Sequence, residues 1–168
     1  MRKIPAIIFS ACAATFALTA CNQQETPKNQ AEVKPQVAPV PTNPADKTAW
    51  KQYLVSVVTA NMQGVKTNHP YMYFVPAGDD DAAKSDRQNQ LDNVKNVVAR
   101  GVLPGNMMAF GGPDSKITSD LVVQAFKDAQ AGTFKDVVVL FIGAPGDLDA
   151  VKSGLASSGA EVRFVEAK

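Results

Sequence analysis

The run Val137-Val138-Val139-Leu140-Phe141-Ile142 constrains this chain more than any other stretch. It is opened by Asp136 and closed by Gly143-Ala144-Pro145-Gly146-Asp147, and it has no polar position that could face water. An unbroken apolar run of this length, rich in β-branched residues, reads as a strand covered on both sides, as inside a parallel sheet. It is too short to span a membrane.

The flanking segments supply the cover. Trp50, Leu54, Val57, Val58 and Met62 recur at helical spacing and stop at Gly64, with Asn43 as the expected cap and Pro44 at the first helical position. Tyr71-Met72-Tyr73-Phe74-Val75 reads as the first strand, its aromatic residues as core. Ser85 with Gln88 suggests a capping box, followed by a helical face of Leu91, Val94, Val97 and Val98 that Gly101 closes. Met107-Met108-Ala109-Phe110 is a short strand. Asp114 or Ser115 should cap the next helix, with Ile117, Leu121, Val122, Ala125, Phe126 and Ala129 on its buried side. After the central strand come a helix near Leu148, Val151 and Leu155 and a half-exposed edge strand, Glu161 to Val165. One helix followed by alternating strands and helices predicts an α/β fold: a single three-layer α/β/α domain over 45–168 with a small, mostly parallel four-stranded sheet. The flavodoxin-like strand order 2-1-3-4 is the expected one.

The N-terminus carries an address. Residues 1–20 give a positive start at Arg2-Lys3, a short apolar middle and small residues at the exit, the layout of a signal peptide. Leu18-Thr19-Ala20-Cys21 resembles the lipobox of bacterial lipoproteins. That resemblance implies cleavage before Cys21, a diacylglycerol thioether on its sulfur and a further acyl chain, such as palmitate, on its amine. Several chains make a stable membrane anchor where one is marginal. Asn22 stands where an Asp would imply retention at the inner membrane, so the resemblance points to the periplasmic face of the outer membrane. Residues 21–44 read as the lipidated cysteine and a flexible tether, with Pro27, Pro35, Pro39, Pro41 and Pro44 and no aromatic residue. Extended at about 3.1 Å per residue, such a segment reaches roughly 70 Å.

Charge and cysteine content exclude several classes. Of 17 basic residues, Arg2 and Lys3 leave with the signal, so 15 face 16 acidic ones and no surplus remains for a phosphate backbone. A nucleic-acid partner is not expected. Cys12 and Cys21 both precede the domain, which therefore has no disulfide, thiolate site or cysteine nucleophile. His69 is the sole histidine and precedes a strand, at the opposite edge from the loops that follow the strands. A multi-histidine metal centre is therefore not available, and a Ser-His-Asp triad would need His69 to reach Ser115 across the sheet; no G-x-S-x-G occurs.

Ligands of parallel sheets bind beyond the carboxyl ends of the strands. Three loops meet there: Gly78 to Asp81, Gly111 to Ser115 and Gly143 to Asp147. The candidate residues are Asp79, Asp81, Gly111, Gly112, Asp114, Ser115, Gly143 and Asp147. Gly111-Gly112-Pro113-Asp114-Ser115 fits neither G-x-G-x-x-G nor the phosphate-loop pattern, and Asp114 would repel a phosphate. Consecutive Asp79, Asp80 and Asp81 lack the spacing of a calcium loop. Turn glycines and helix caps account for all three loops equally well. No cofactor or metal is expected and no catalytic set is evident. The leading expectation is a membrane-anchored, non-catalytic module for a protein partner in the periplasm, such as an immunity protein, an inhibitor or an accessory subunit. The alternatives are an enzyme or small-ligand binder using the Gly/Asp loops, and a purely structural envelope lipoprotein.

Overall fold

The computed structural model describes residues 36–168. The signal, Cys21 and most of the tether lie outside the described residues. The central run forms β3 (Val138–Gly143), buried along its whole length. It lies between β2 (Met107–Gly111) and β4 (Glu161–Glu166), with β1 (Tyr71–Phe74) beyond β2, and every pairing is parallel.

Two layers of helix explain why β3 has no wet face. Val139 and Phe141 point into a core shared with α2 (Asp81–Arg100), α3 (Ser115–Phe126) and α4 (Leu148–Leu155). Val138, Leu140 and Ile142 point the other way, onto Trp50, Tyr53, Leu54, Val57 and Val58 of α1 (Lys47–Ala60). β2 divides likewise, Met108 and Phe110 against Met107 and Ala109. This is the three-layer α/β/α domain the apolar patterning predicts.

The strand order is 1-2-3-4, not the flavodoxin-like 2-1-3-4. Each crossover steps to the next strand in the same direction, so right-handed connections place α2, α3 and α4 on one face. The other face is left to α1, which precedes the first strand and crosses nothing.

Local boundaries also move. The Asp46 side chain accepts the Ala49 N–H at 2.9 Å and caps α1, whereas Asn43 closes a turn by accepting the Ala45 N–H. Asp80, not Ser85, caps α2 through the Ala83 N–H, so that helix starts five residues earlier than a capping box would place it. Asp114 caps α3, which ends at Phe126 rather than near Gly132. The following loop is pinned by Phe134, fully buried against Phe126. The globular part begins before residue 45: the Ala38 N–H donates to Ser56 Oγ at 2.9 Å, Val40 packs on the α1 side of the core, and Trp50 Nε1 donates to the Asn43 carbonyl. Among the described residues no helix is long and apolar enough to cross a membrane.

Candidate functional site

Because all strands run the same way, the three Gly/Asp loops do lie along one edge of the sheet. What their residues do there differs from loop to loop.

In the loop after β1, Asp80 caps α2, and the Ala83 N–H holds its carboxyl below the ordinary range. Arg87 Nη1 donates to the Gly78 carbonyl at 2.6 Å and ties the loop to the helix. Asp79 and Asp81 are exposed, and their side chains make no hydrogen bond or ion pair among the described residues. No group of three or more His, Cys, Asp or Glu side chains there is arranged to hold a metal ion.

The glycines after β2 and β3 are dictated by close approach. A Cβ on Gly112 would lie 2.0 Å from the Val75 carbonyl oxygen, and one on Gly111 would lie 2.6 Å from Leu54 Cδ2. At Gly143 it would meet Ser115 Oγ at 2.5 Å and the Phe141 ring at 2.7 Å. Ser115 is the hinge between the two loops: its hydroxyl donates to Asp147 Oδ2 and accepts the Ala144 N–H, each at 2.6 Å. Asp114 accepts the Ile117 N–H at 2.9 Å as the cap of α3. Ser115, Gly143 and Asp147 are thus brought together with Asp114 close by in sequence, while Asp79 and Asp81 stand on a separate loop with no bond to them.

A groove of about 450 Å³ opens beside this cluster, lined by Val40, Pro41, Trp50, Gly112, Ser115 and Gly143 among others. Its lining includes no charged side chain, and the Ser115 hydroxyl is already bonded on both sides. Binding clefts of open α/β sheets form where the winding reverses and adjacent loops part. In order 1-2-3-4 the winding never reverses, so the loops after β2 and β3 stay clasped by Ser115 instead of separating. The rim offers a recess of mixed polar and apolar lining and, among the described residues, no set of free acid, base and nucleophile. His69 lies in the loop leading into β1, exposed, with Nδ1 2.6 Å from Asn68 Oδ1.

A second groove, also about 450 Å³, was not legible in the sequence. It runs along the outer edge of β1, with Lys47 and Lys51 of α1 on one side and Asp86, Asn89, Gln90 and Asn93 of α2 on the other. Met72 lines it and is 36% exposed, and Tyr71 of the same strand is 42% exposed, two of the few large apolar side chains that are. The helical spacing of Asp86, Asn89, Gln90 and Asn93 was the available signal, but it marks a groove only once β1 is known to be an edge. Searches against protein-family models, curated proteins and solved structures return no match to this chain.

Proposed function

We propose that the chain is a lipid-anchored envelope protein whose α/β domain is a non-catalytic binding module for a protein partner in the periplasm. An immunity or inhibitor protein and an accessory subunit of an envelope complex both fit that description. The placement is supported by the tripartite start of the chain and by Leu18-Thr19-Ala20-Cys21. The observation that carries the binding reading is the Ser115–Asp147–Ala144 closure, which engages the polar groups of the loops after β2 and β3 with one another. The test is affinity capture with the full lipidated chain from envelope extract, in detergent, against a chain lacking 45–168. One protein retained by the first and lost by the second is the expected result, and an empty capture sinks the reading.

The recess of about 450 Å³ beside Ser115 favours one rival, a small-ligand binder or enzyme on the rim. That reading wins if Ser115→Ala or Asp147→Ala abolishes a measurable activity while the circular dichroism spectrum stays unchanged.

A further inference from the structure

The groove along β1 has the form of an unfilled strand position. Strand side chains and backbone groups alternate with period two. The Val75 N–H donates to the Gly111 carbonyl, so the backbone groups of Tyr73 and Tyr71 also face β2. Those of Met72 and Phe74 then face outward, and no described residue bonds to them. A free sheet edge is a template for another chain. Here α1 and α2 form walls on both faces, so an added strand would be covered above and below.

We infer, on the basis of the binding-module reading, that this groove takes an extended segment of the partner protein as a fifth strand, with acidic side chains at alternate positions facing α1. The charge and the spacing identify the occupant. Lys47 and Lys51 are one helical turn apart, about 6 Å along the axis, and alternate residues of a strand are about 6.6 Å apart. Lys51 has no ion-pair partner among the described residues. Lys47 reaches across the groove to Asp86 at 2.6 Å, with both side chains about half exposed. An exposed pair of this kind contributes little and yields easily to a better-placed carboxylate. On the opposite wall Asn89 and Asn93, also one turn apart, present amides to small polar side chains. A second copy of this chain is a poorer occupant, because antiparallel pairing of two β1 edges would set the lysines of one α1 against those of the other. Pro70 and Pro76 bound the strand, which suits a short segment rather than open-ended stacking.

The test uses the purified full chain in detergent and the blocked peptide Thr-Glu-Thr-Glu-Thr-Glu as probe, read by amide hydrogen exchange. Protection is expected at the Met72 and Phe74 amides. The Lys-for-Glu peptide and the block isomer Glu-Glu-Glu-Thr-Thr-Thr should each bind about tenfold more weakly or worse. Met72→Pro removes an outward N–H and leaves the β1–β2 ladder intact, so it should abolish protection at Phe74. Should that variant fail to fold, Lys51→Glu serves instead and should reverse the preference between the Glu and Lys peptides. Equal binding of the block isomer overturns the proposal, as does protection confined to other amides. Met72 and Phe74 protection that rises with protein concentration in the absence of peptide would assign the edge to a second copy and overturn it too. The two readings separate cleanly. A partner still captured by Met72→Pro and Lys51→Glu leaves the binding module standing and removes the strand slot. Peptide protection with an empty envelope capture does the reverse.

Discussion

Tyr73 is stacked on Phe110 at 4.9 Å, and its hydroxyl is buried with no hydrogen-bond partner among the described residues. Burial pushes the phenol up to about 12, with Tyr71 adding to the rise and Arg100 opposing it. A raised acid in the folded state stabilises the protein below its ordinary value of about 10, and that contribution is lost as pH climbs from there to about 12. Because that hydroxyl is buried without a partner, Tyr73→Phe should stabilise the domain by about 1 kcal/mol near neutral pH, and because Phe cannot ionise it should shift alkaline unfolding upward. A denaturant midpoint that rises with unchanged slope, and a pH titration of the thermal midpoint, check both. Ser115 behaves oppositely. Ser115→Ala leaves the Asp147 carboxylate and the Ala144 N–H without their shared partner and should cost about 2 kcal/mol, seen as a lower midpoint. The sequence marked Ser115 and Asp147 as rim residues. That they would bond to each other was hidden, since they are far apart in the chain and meet only through the β2–β3 pairing.

At the scale of elements, α1 carries a whole face of the sheet alone. Leu54→Ala, in a side chain 1% exposed, has no second helix to collapse into the space and should cost about 2–5 kcal/mol. Gly112→Ala should be as damaging for the opposite reason, since the new methyl meets the Val75 carbonyl, and backbone cannot step aside as a flexible side chain can. Overpacking of this kind costs about 1–3 kcal/mol or more, and equilibrium denaturation reads both variants. Apolar periodicity found every helix and strand, because a 3.6-residue stripe and an unbroken run need only local information. The caps were harder. Asn43, Asp46, Asp80 and Ser85 are all good caps by type, and which one is used depends on where the chain arrives, so α1 starts three residues late and α2 five residues early. Phe134 gave no local sign at all, being a lone aromatic in a loop that tertiary packing recruits.

At the scale of the molecule, strand order was the unreadable part. Orders 2-1-3-4 and 1-2-3-4 use the same strands and helices, and the choice rests on which face each helix covers. The single helix preceding β1 was the clue, because it is not a crossover and can cover the face the other three leave bare. The proposed lipid anchor belongs to this scale as well. Cells grown with labelled palmitate should label the chain, Cys21→Ser should abolish the label, and the variant should leave the membrane fraction for the soluble one. A label that survives Cys21→Ser would refute the lipobox assignment.

The solitary cover on one side of the sheet has a bearing on biogenesis. The buried surface on which α1 docks comes mainly from β2 and β3, with Phe74 of β1 and Val165 of β4 at its margins, so the first helix off the ribosome has no complete seat until the third strand has been synthesised. Until then both it and the strands it shields lack their native burial, and the domain cannot close piecemeal from its N-terminus. For the exported chain proposed above, that delay would keep the segment threadable through a narrow membrane channel until β3 has been made.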